Sequence, residues 1–367
     1  MKFSCKKEKL EKSLACADRF TGKHITLPIL THILCEVVDH TLRIVATNLE
    51  HALEIFIPVT GAKNGKVSVP SRILHSFLQS VGEENIEAEE KQGCLLLKTS
   101  SKNIKINGIS ATEFPLIPKI KKQHSFSISS RTLAEGLTRV LPAVSISEFK
   151  PELTGVFFQA SPTSLRLAAT DTFRLAEQTI AFGQKLSESF SFILPARVSQ
   201  ELVRVFGEEE CVMTVAVGEN QALCEGGGMR ITSRLIDGKF PEYAAIVPKH
   251  FQTTVHCERN DLLQNIRTSS IFASKLQDVT MAFGAHELHI QSSNAEVGEY
   301  KTVLPAALSG NNALGVSFNY HYLMDGLHAL SEDTIFLGLN DGNSPVLFRN
   351  KDDGSFLYVL MPIRASA

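Results

Sequence analysis

The sequence predicts an α+β protein made of three tandem copies of one domain, each with two helices packed on antiparallel sheet. Three repeated patterns support this prediction: a half-buried strand, an amphipathic helix near the start of each copy, and a second helix after an extended segment. The length of 367 residues suits two or three domains of ordinary size. The copies, here called copy one, two and three, are predicted to span residues 1–122, 123–250 and 251–367.

The repeated strand alternates apolar and polar residues before a Thr/Ser-Asn/Asp turn. It occurs at 41–48, 164–171 and 287–294, so both offsets are 123 residues. A period of two is typical of a strand with one buried face. Three matches, position by position, indicate duplication of a whole unit.

Two helices are predicted in each copy. The second helix follows Pro70, Pro195 and Asn319, and proline is favoured at a helix start because its missing N–H is not needed there. Apolar residues at helical spacing mark the buried faces. In the first helices these residues are Leu10, Leu14, Ala17, Leu133, Leu137, Val140, Leu262 and Ile266, and in the second helices they are Leu74, Leu78, Val81, Val198, Leu202, Val205, Leu323, Leu327 and Leu330.

The composition is that of an ordinary globular protein, with 43% hydrophobic and 21% charged residues, which excludes disorder and collagen-like repetition. The first 20 residues lack the apolar core of a signal peptide, and no run of about 18 apolar residues occurs. We therefore expect a soluble cytoplasmic protein without a membrane partner. The seven cysteines lack the paired spacing of zinc sites and are expected to be reduced, mostly packed thiols.

The formal net charge of −2 neither demands nor excludes a nucleic-acid partner. When the predicted helices are summed separately, they carry +5, which leaves −7 elsewhere. A basic helical face could hold phosphates while the acidic remainder keeps the protein soluble. Dispersed cations favour weak contact without sequence specificity, compatible with sliding, and neither a zinc finger nor a heptad zipper is present.

No catalytic motif emerges, and no cofactor or metal is expected. The glycines at 226–228 lack the Lys-Ser/Thr of a phosphate-binding loop, which favours a turn or bulge. The glutamates at 83–84 and 208–210 follow helix ends and are expected to be solvated. His286 and His289 flank a strand turn without further metal ligands nearby, so a surface role is favoured.

Two alternatives remain open on these residues alone. One is a repeat-built cytoplasmic enzyme with an inter-domain active site, in which Asp171 and Arg174 are the polar catalysts. The other is a monomeric scaffold that binds proteins.

Four short segments, in order along the whole chain, resemble the bacterial sliding clamp, the beta subunit of DNA polymerase III. They are Leu27–Leu30, Leu153–Gly155 with Ala169–Ala176, Asp237–Tyr243 and Tyr358–Arg364. The resemblance implies a non-catalytic processivity factor. It also implies a head-to-tail homodimer that closes into a ring of pseudo-sixfold symmetry around double-stranded DNA, with helices lining the hole and sheets at the rim.

The resemblance further implies a groove between the second and third domains. There the DNA polymerase III alpha subunit, the clamp loader, and other polymerases and repair proteins would insert a short peptide with apolar anchors. The wall would consist of Leu153, Thr170, Thr172, Phe173, Arg174, Leu175, Pro241, Ile246, Val359, Leu360, Met361, Pro362, Ile363 and Arg364.

The chain departs from the family pattern at three places near this groove. Thr172-Phe173 stands where the family usually has Gly-His, Ala245 stands where an arginine is common, and residues 365–367 extend beyond the usual end. Phe173 is expected to narrow or reshape the groove.

Further expectations concern DNA and the ring interface. The candidates for phosphate contact are Arg72, Arg197 and Arg204 on the second helices and Lys23, His24 and Lys150 in loops, with His24 beside Lys23 where the family often has an arginine. Ile271 and Phe272 are expected at the dimer interface. Glu296 and Glu299 are expected to face Lys98, Lys102 or Lys105 of the other chain.

Overall fold

A computed structural model of the protein describes residues 1–22, 27–183, 185–208, 210–284, 286–310 and 314–363. Its α-helices fall two to each predicted copy. They are α1 (Lys7–Arg19), α2 (Ser71–Gln79), α3 (Ser130–Val140), α4 (Ala196–Phe206), α5 (Arg259–Ser269) and α6 (Tyr320–Ala329).

The strands account for most of the remaining regular structure. In copy one they are β1 (Lys2–Lys6), β2 (His32–Val38), β3 (Thr41–Thr47), β4 (His51–Pro58), β5 (Thr60–Lys63), β6 (Gly65–Pro70), β7 (Asn85–Lys91), β8 (Cys94–Lys98) and β9 (Asn103–Asn107). In copy two they are β10 (His124–Ser129), β11 (Gly155–Ala160), β12 (Ser164–Thr170), β13 (Arg174–Ala181), β14 (Phe190–Pro195), β15 (Val212–Val217), β16 (Gln221–Gly226) and β17 (Met229–Arg234). In copy three they are β18 (Thr253–Glu258), β19 (Asp278–Phe283), β20 (Glu287–Asn294), β21 (Gly298–Pro305), β22 (Ala307–Gly310), β23 (Leu314–Asn319), β24 (Thr334–Leu339), β25 (Val346–Asn350) and β26 (Phe356–Leu360).

The chain forms two units, 1–131 with 204–235, and 132–203 with 236–367. The first unit contains a five-stranded sheet in the order β5-β1-β7-β8-β9 and an eight-stranded sheet in the order β10-β15-β16-β17-β4-β3-β2-β6. The second unit contains a nine-stranded sheet in the order β14-β11-β12-β13-β26-β25-β24-β18-β22 and a four-stranded sheet in the order β21-β20-β19-β23. Copy two therefore contributes strands to both units.

The two largest sheets each join neighbouring copies through one antiparallel strand pair. β17 of copy two pairs with β4 of copy one, with Thr232 opposite Ala52. β26 of copy three pairs with β13 of copy two, with Val359 opposite Leu175. Because each sheet runs through a boundary between copies, the backbone itself connects successive domains.

The predicted strand and helix faces are confirmed. The repeated strand forms β3, β12 and β20, and Leu10, Leu14 and Ala17 of α1 are at most 1% exposed. Val81, predicted on the face of α2, lies beyond the helix end at Gln79 but is still buried.

Three other sequence expectations also have structural outcomes. Lys6 ends β1 instead of beginning α1, so the helices as observed carry a net charge of +4 and not +5. Gly227 and Gly228 form the tight turn between β16 and β17, with φ of 55° and 74°, which glycine adopts without strain. Within the described residues, no helix is long and apolar enough to cross a membrane.

Candidate functional site

The end of the chain and the start of β13 lie together in the second unit. Beyond β26, the Met361 backbone N–H donates to the Phe173 carbonyl at 2.9 Å, and the Ile363 N–H donates to the Ser317 carbonyl at 2.8 Å. The tail is therefore fixed at two points. The structure thus brings the tail half of the predicted groove wall next to the 170–175 half.

The predicted wall divides into buried and accessible residues. Leu153, Leu175 and Val359 are at most 4% exposed and belong to one apolar cluster with Phe240, Tyr243, Phe336 and Leu347. Leu360 is also buried. In contrast, Phe173 is 60% and Ile246 53% exposed. Thr172 and Pro241 are exposed as well, whereas Thr170, Arg174 and Met361 to Ile363 are half-buried, and Arg364 lies outside the described residues.

The turn between β12 and β13 is held by side chains of its own residues. Asp171 Oδ1 accepts from the N–H groups of Phe173 at 2.9 Å and Arg174 at 3.0 Å. Thr170 Oγ1 accepts from the Thr172 N–H at 3.2 Å. Thr172 has φ of +79°, a left-handed conformation that strains a β-branched residue. These bonds hold the strained turn so that Phe173 remains exposed.

Arg174 is a fixed cation in the half-buried part of this site. Its guanidinium bonds to Asp171 Oδ2 at 2.9 Å and Asp325 Oδ2 at 2.5 Å, and it stacks 4.2 Å from the ring centre of Tyr322. Burial works to lower its pKa, but the electrostatic influence of Tyr358 and the hydrogen bond to Asp325 outweigh burial and raise the pKa. A permanently charged, doubly paired arginine suits orientation of a ligand and does not suit proton transfer.

The segment at the second boundary is anchored by a buried tyrosine. Tyr243 donates from its hydroxyl to Glu177 Oε2 at 2.5 Å, and burial followed by this bond raises the Tyr243 pKa. Phe240 stacks on Phe157 with 4.7 Å between ring centres. Pro241 and Ile246 therefore project from a well-supported backbone.

The candidate DNA contacts are accessible wherever they are described. Arg72 is exposed on α2, and Lys150 is exposed in the loop before β11. Arg197 and Arg204 are exposed on α4, and their seven-residue spacing sets them on one helix face. Lys23 and His24 lie outside the described residues.

The candidate interface residues of copy three lie beside an edge strand. Ile271 is 66% exposed, and Phe272 stacks on Tyr300 of β21 at 6.2 Å. β21 ends the four-stranded sheet, and β9, which carries exposed Lys105, ends the five-stranded sheet. Glu299 is exposed and pairs with Lys301 at 2.9 Å in the isolated chain.

Sequence reasoning missed the α6 residues Tyr322 and Asp325 as partners of Arg174. Asp325 is 151 positions from Arg174, so only the fold brings the two together. The structure also bears on the alternative in which Asp171 is a catalyst. One carboxylate oxygen of Asp171 is engaged by the turn and the other by Arg174.

Three family profiles match the chain in order. The DNA polymerase III beta subunit N-terminal domain matches residues 1–118, the central domain 127–242 and the C-terminal domain 244–364.

The full length of the chain is also similar to curated and solved proteins. The Beta sliding clamp of Synechocystis sp. is 28% identical, with 99% of each chain covered. The Beta sliding clamp of Bacillus subtilis is 24% identical, with 99% of this chain and 100% of the relative covered. A sliding clamp from Pseudomonas aeruginosa, crystallised bound to griselimycin, has a TM-score of 0.96 and 26% identity over 100% of both chains. A DNA polymerase sliding clamp from Bacillus subtilis has a TM-score of 0.95 at 24% identity over 100% of both chains, and this likeness concerns the fold.

Proposed function

The chain belongs to the DNA polymerase III beta subunit family, and from this premise we propose that it is a non-catalytic processivity factor. Two copies would close into a ring around double-stranded DNA in the cytoplasm and tether DNA polymerase III and other replication and repair proteins. The observation that carries the proposal is the match of three successive clamp domains to nearly the whole chain. The domain limits of 1–122, 123–250 and 251–367 are part of the same proposal.

The way copies are joined within the chain supports ring closure. At both internal junctions, the strand after the repeated strand of one copy pairs with the last strand of the next copy: β4 with β17, and β13 with β26. Two equivalent strands have no such partner in the described part of the chain: β21, which follows the repeated strand of copy three, and β9, the last strand of copy one. Both are sheet edges. A second copy, placed head to tail, would pair β21 of one chain with β9 of the other. Such a heterologous contact gives a ring when its rotation closes.

The internal junctions also support one register for this pairing. Across their hairpins, the equivalent residues Thr47, Thr170 and Ser293 lie opposite Ala52, Leu175 and Glu299, respectively. The register of the partner strands is set by a buried residue on the strand next to each of them: Leu95 lies opposite Ile106, Ala222 opposite Ser233, and Val346 opposite Leu360. We treat these three buried residues as equivalent. The residues that come just before their partners, Lys105, Thr232 and Val359, are then equivalent too. Since Ala52 faces Thr232 and Leu175 faces Val359, Glu299 would face Lys105.

The same register would bring apolar groups together on the buried face. One position along, Ala176 faces Tyr358 within the chain, and the equivalent residues between chains are Tyr300 and Ile104. Phe272 already stacks on Tyr300. The proposed interface thus combines an aromatic cluster with one cross-strand charge pair, which is a favourable combination in antiparallel sheet.

Contact with DNA would come from dispersed cations. The observed helices carry a net +4 although the whole chain carries −2, and Arg72, Lys150, Arg197 and Arg204 are exposed. Each phosphate contact releases counterions, so its affinity falls with salt and carries no sequence information. Replacing Arg197 and Arg204 with glutamate should weaken binding to linear duplex DNA and reduce the salt slope by about 2. An unchanged salt slope would remove α4 from the DNA-facing surface.

Partner peptides would bind around the start of β13 and the tail. Exposed Phe173 and Ile246 supply apolar contact, and buried Leu153, Leu175 and Val359 form the support beneath. Arg174, held by Asp171 and Asp325, supplies fixed positive charge. Deleting residues 361–367 should abolish peptide binding while the dimer persists, because the deletion begins after β26 and leaves the proposed dimer edges β21 and β9 intact. Loss of the dimer would contradict this assignment.

The direct functional test is primer extension on a long primed single-stranded circle. With the alpha subunit and clamp loader of the same organism, the protein should lengthen the products made per binding event. Phe173→Asp should abolish this effect, and Val212→Asp, the same charge introduced at an exposed apolar residue outside the candidate sites, should not. Product length that does not depend on the added protein would contradict the proposed function.

A further inference from the structure

The first unit contains a pocket that neither the sequence patterns nor the proposed groove explains. It encloses about 240 Å³ beside the junction of β4 and β17. Its walls come from four segments: Thr47 with 49–52 before and within β4, Pro115–Pro118 after the first copy, Gln221 of β16, and Thr232 with Arg234 of β17. We call it the first-junction pocket.

This pocket repeats the proposed peptide groove at the equivalent place one junction earlier. The offset of 123 relates Thr47, Leu49, Glu50, His51 and Ala52 of the pocket to Thr170, Thr172, Phe173, Arg174 and Leu175 of the groove. Pro115 corresponds to Pro241 in the repeated Phe-Pro boundary, and Thr232 corresponds to Val359 by strand register. Most of the pocket lining therefore occupies groove positions.

The turn that forms the pocket edge has the same strained backbone as its counterpart. Leu49 has φ of +78°, against +79° at Thr172, and its N–H donates to Thr47 Oγ1 at 3.0 Å. Asn48 Oδ1 accepts from the N–H groups of Glu50 and His51, as Asp171 does in the second copy. Leu49 is 49% exposed, so neither burial nor backbone preference favours leucine here. Strain held at an exposed apolar residue is typical of ligand-binding positions.

The chemistry of the pocket differs from that of the groove in a way that selects its ligand. Leu116 is 94% exposed beside Leu49 in the lining, which gives an apolar mouth. Exposed Arg234 and exposed Glu50 in the wall offset each other in charge, and the linker that leaves the pocket adds positive charge through exposed Lys119, Lys121 and Lys122. Among the described residues, no ion pair joins these four cations to a carboxylate. The surroundings are thus complementary to negative charge next to an apolar group.

We propose that the first-junction pocket is a second docking site for partner proteins, specific for an extended acidic peptide with an apolar anchor side chain. The inference rests on the proposed function for the kind of partner and adds a second site to each chain. A cavity of roughly 150 Å³ can hold a benzene ring, so the observed volume admits one or two anchor side chains. One partner could then engage both sites, or two partners could occupy one chain together.

The test is a titration of the full-length protein, labelled at isoleucine δ1 methyl groups, with the peptide acetyl-Glu-Asp-Leu-Phe-amide. Ile117 lines the first-junction pocket and Ile246 belongs to the proposed groove, so the two methyl signals report the sites separately. We expect saturable shifts at Ile117, and weaker binding there with acetyl-Lys-Lys-Leu-Phe-amide. The double variant Leu49→Asn, Leu116→Ser should raise the Kd at Ile117 about tenfold and leave Ile246 unchanged. Asparagine tolerates the left-handed backbone at position 49, so the fold is retained.

The outcomes separate this inference from the proposed function. A shift at Ile246 without one at Ile117 overturns the second site and supports the groove. A shift at Ile117 without one at Ile246 supports the second site and counts against the groove. If a 20-base-pair duplex shifts Ile117 and the peptide does not, the pocket belongs to a nucleic-acid surface and the inference is wrong.

Discussion

Reversing one charge on the edge strand β21 should weaken the ring by a predictable amount. The proposed register sets Glu299 of one chain directly opposite Lys105 of the other, at the position filled by Leu175 and Val359 within the chain. Glu299→Lys replaces an attractive pair with a repulsive one. Directly opposed charges in antiparallel sheet change stability by up to about 1 kcal/mol each.

A closed ring would double this effect. Two chains joined head to tail would share two identical interfaces, and complete dissociation would break both. The expected cost is therefore about 2 kcal/mol, or about a 30-fold rise in the dimer Kd. Salt should reduce the difference, because both side chains are solvent-exposed in the isolated chain.

Sedimentation velocity at a series of protein concentrations measures the Kd directly. The reciprocal variant Lys105→Glu should show the same weakening, and the double exchange should return the Kd to within about threefold of the original. Lys98→Glu is the matched control, because Lys98 lies on β8, one strand inside the edge. Weakening of the dimer by Lys98→Glu as large as that by Glu299→Lys, or a double exchange that recovers nothing, would refute this register.

Three further predictions concern the stability and chemistry of the chain. Thr172→Asn should raise the free energy of unfolding by about 1 kcal/mol in urea titrations, because asparagine tolerates φ of +79°. The control Thr163→Asn, at an exposed turn without positive φ, should not raise it. Equal effects of the two variants would contradict strain at Thr172. Arg174→Ala should lower the unfolding free energy by about 3 kcal/mol, since it leaves Asp171 half-buried and unpaired; a loss below about 0.5 kcal/mol would show that the paired cation is unimportant for folding. Burial raises the pKa of Cys35 and of Cys224 to about 12, so at pH 8 each thiol is ionised in about one molecule in 10⁴. Iodoacetamide should therefore spare both thiols in the folded protein, and their reactivity should rise only towards pH 12. Rapid alkylation at pH 8 would disprove their burial.

The periodic parts of the fold were predictable because each follows from local spacing. The strand at 287–294 matches β20 at both ends, and the apolar face of α1 is buried as the pattern indicates. Ends set by competition between elements were less predictable. Lys6 is recruited into β1 by pairing with Asn85 of β7, a contact that no local pattern reveals.

The candidate site was only partly predictable. The sequence is compatible with Leu175 as a core or as a groove residue, because an alternating strand needs an apolar side chain there in either case. Only the burial of Leu175 shows that it supports the candidate site from below. The partnership of Arg174 with Asp325 and Tyr322 depends on the docking of α6. The 123-residue offset between Leu49 and Thr172 relates the first-junction pocket to the proposed groove. The accessible cations near the pocket, however, depend on the folded positions of Arg234 and the linker, which no local pattern predicts.

The measurement that tests the central claim most directly is retention on DNA of defined topology. The protein is assembled by its clamp loader on a nicked circular plasmid, separated from free protein at moderate salt, and divided into two portions, one of which is cut once with a restriction enzyme. A ring held by topology should remain on the circle and leave the linear product by sliding off its ends. Equal retention on both forms would contradict encirclement and show that the protein binds DNA by surface contact alone.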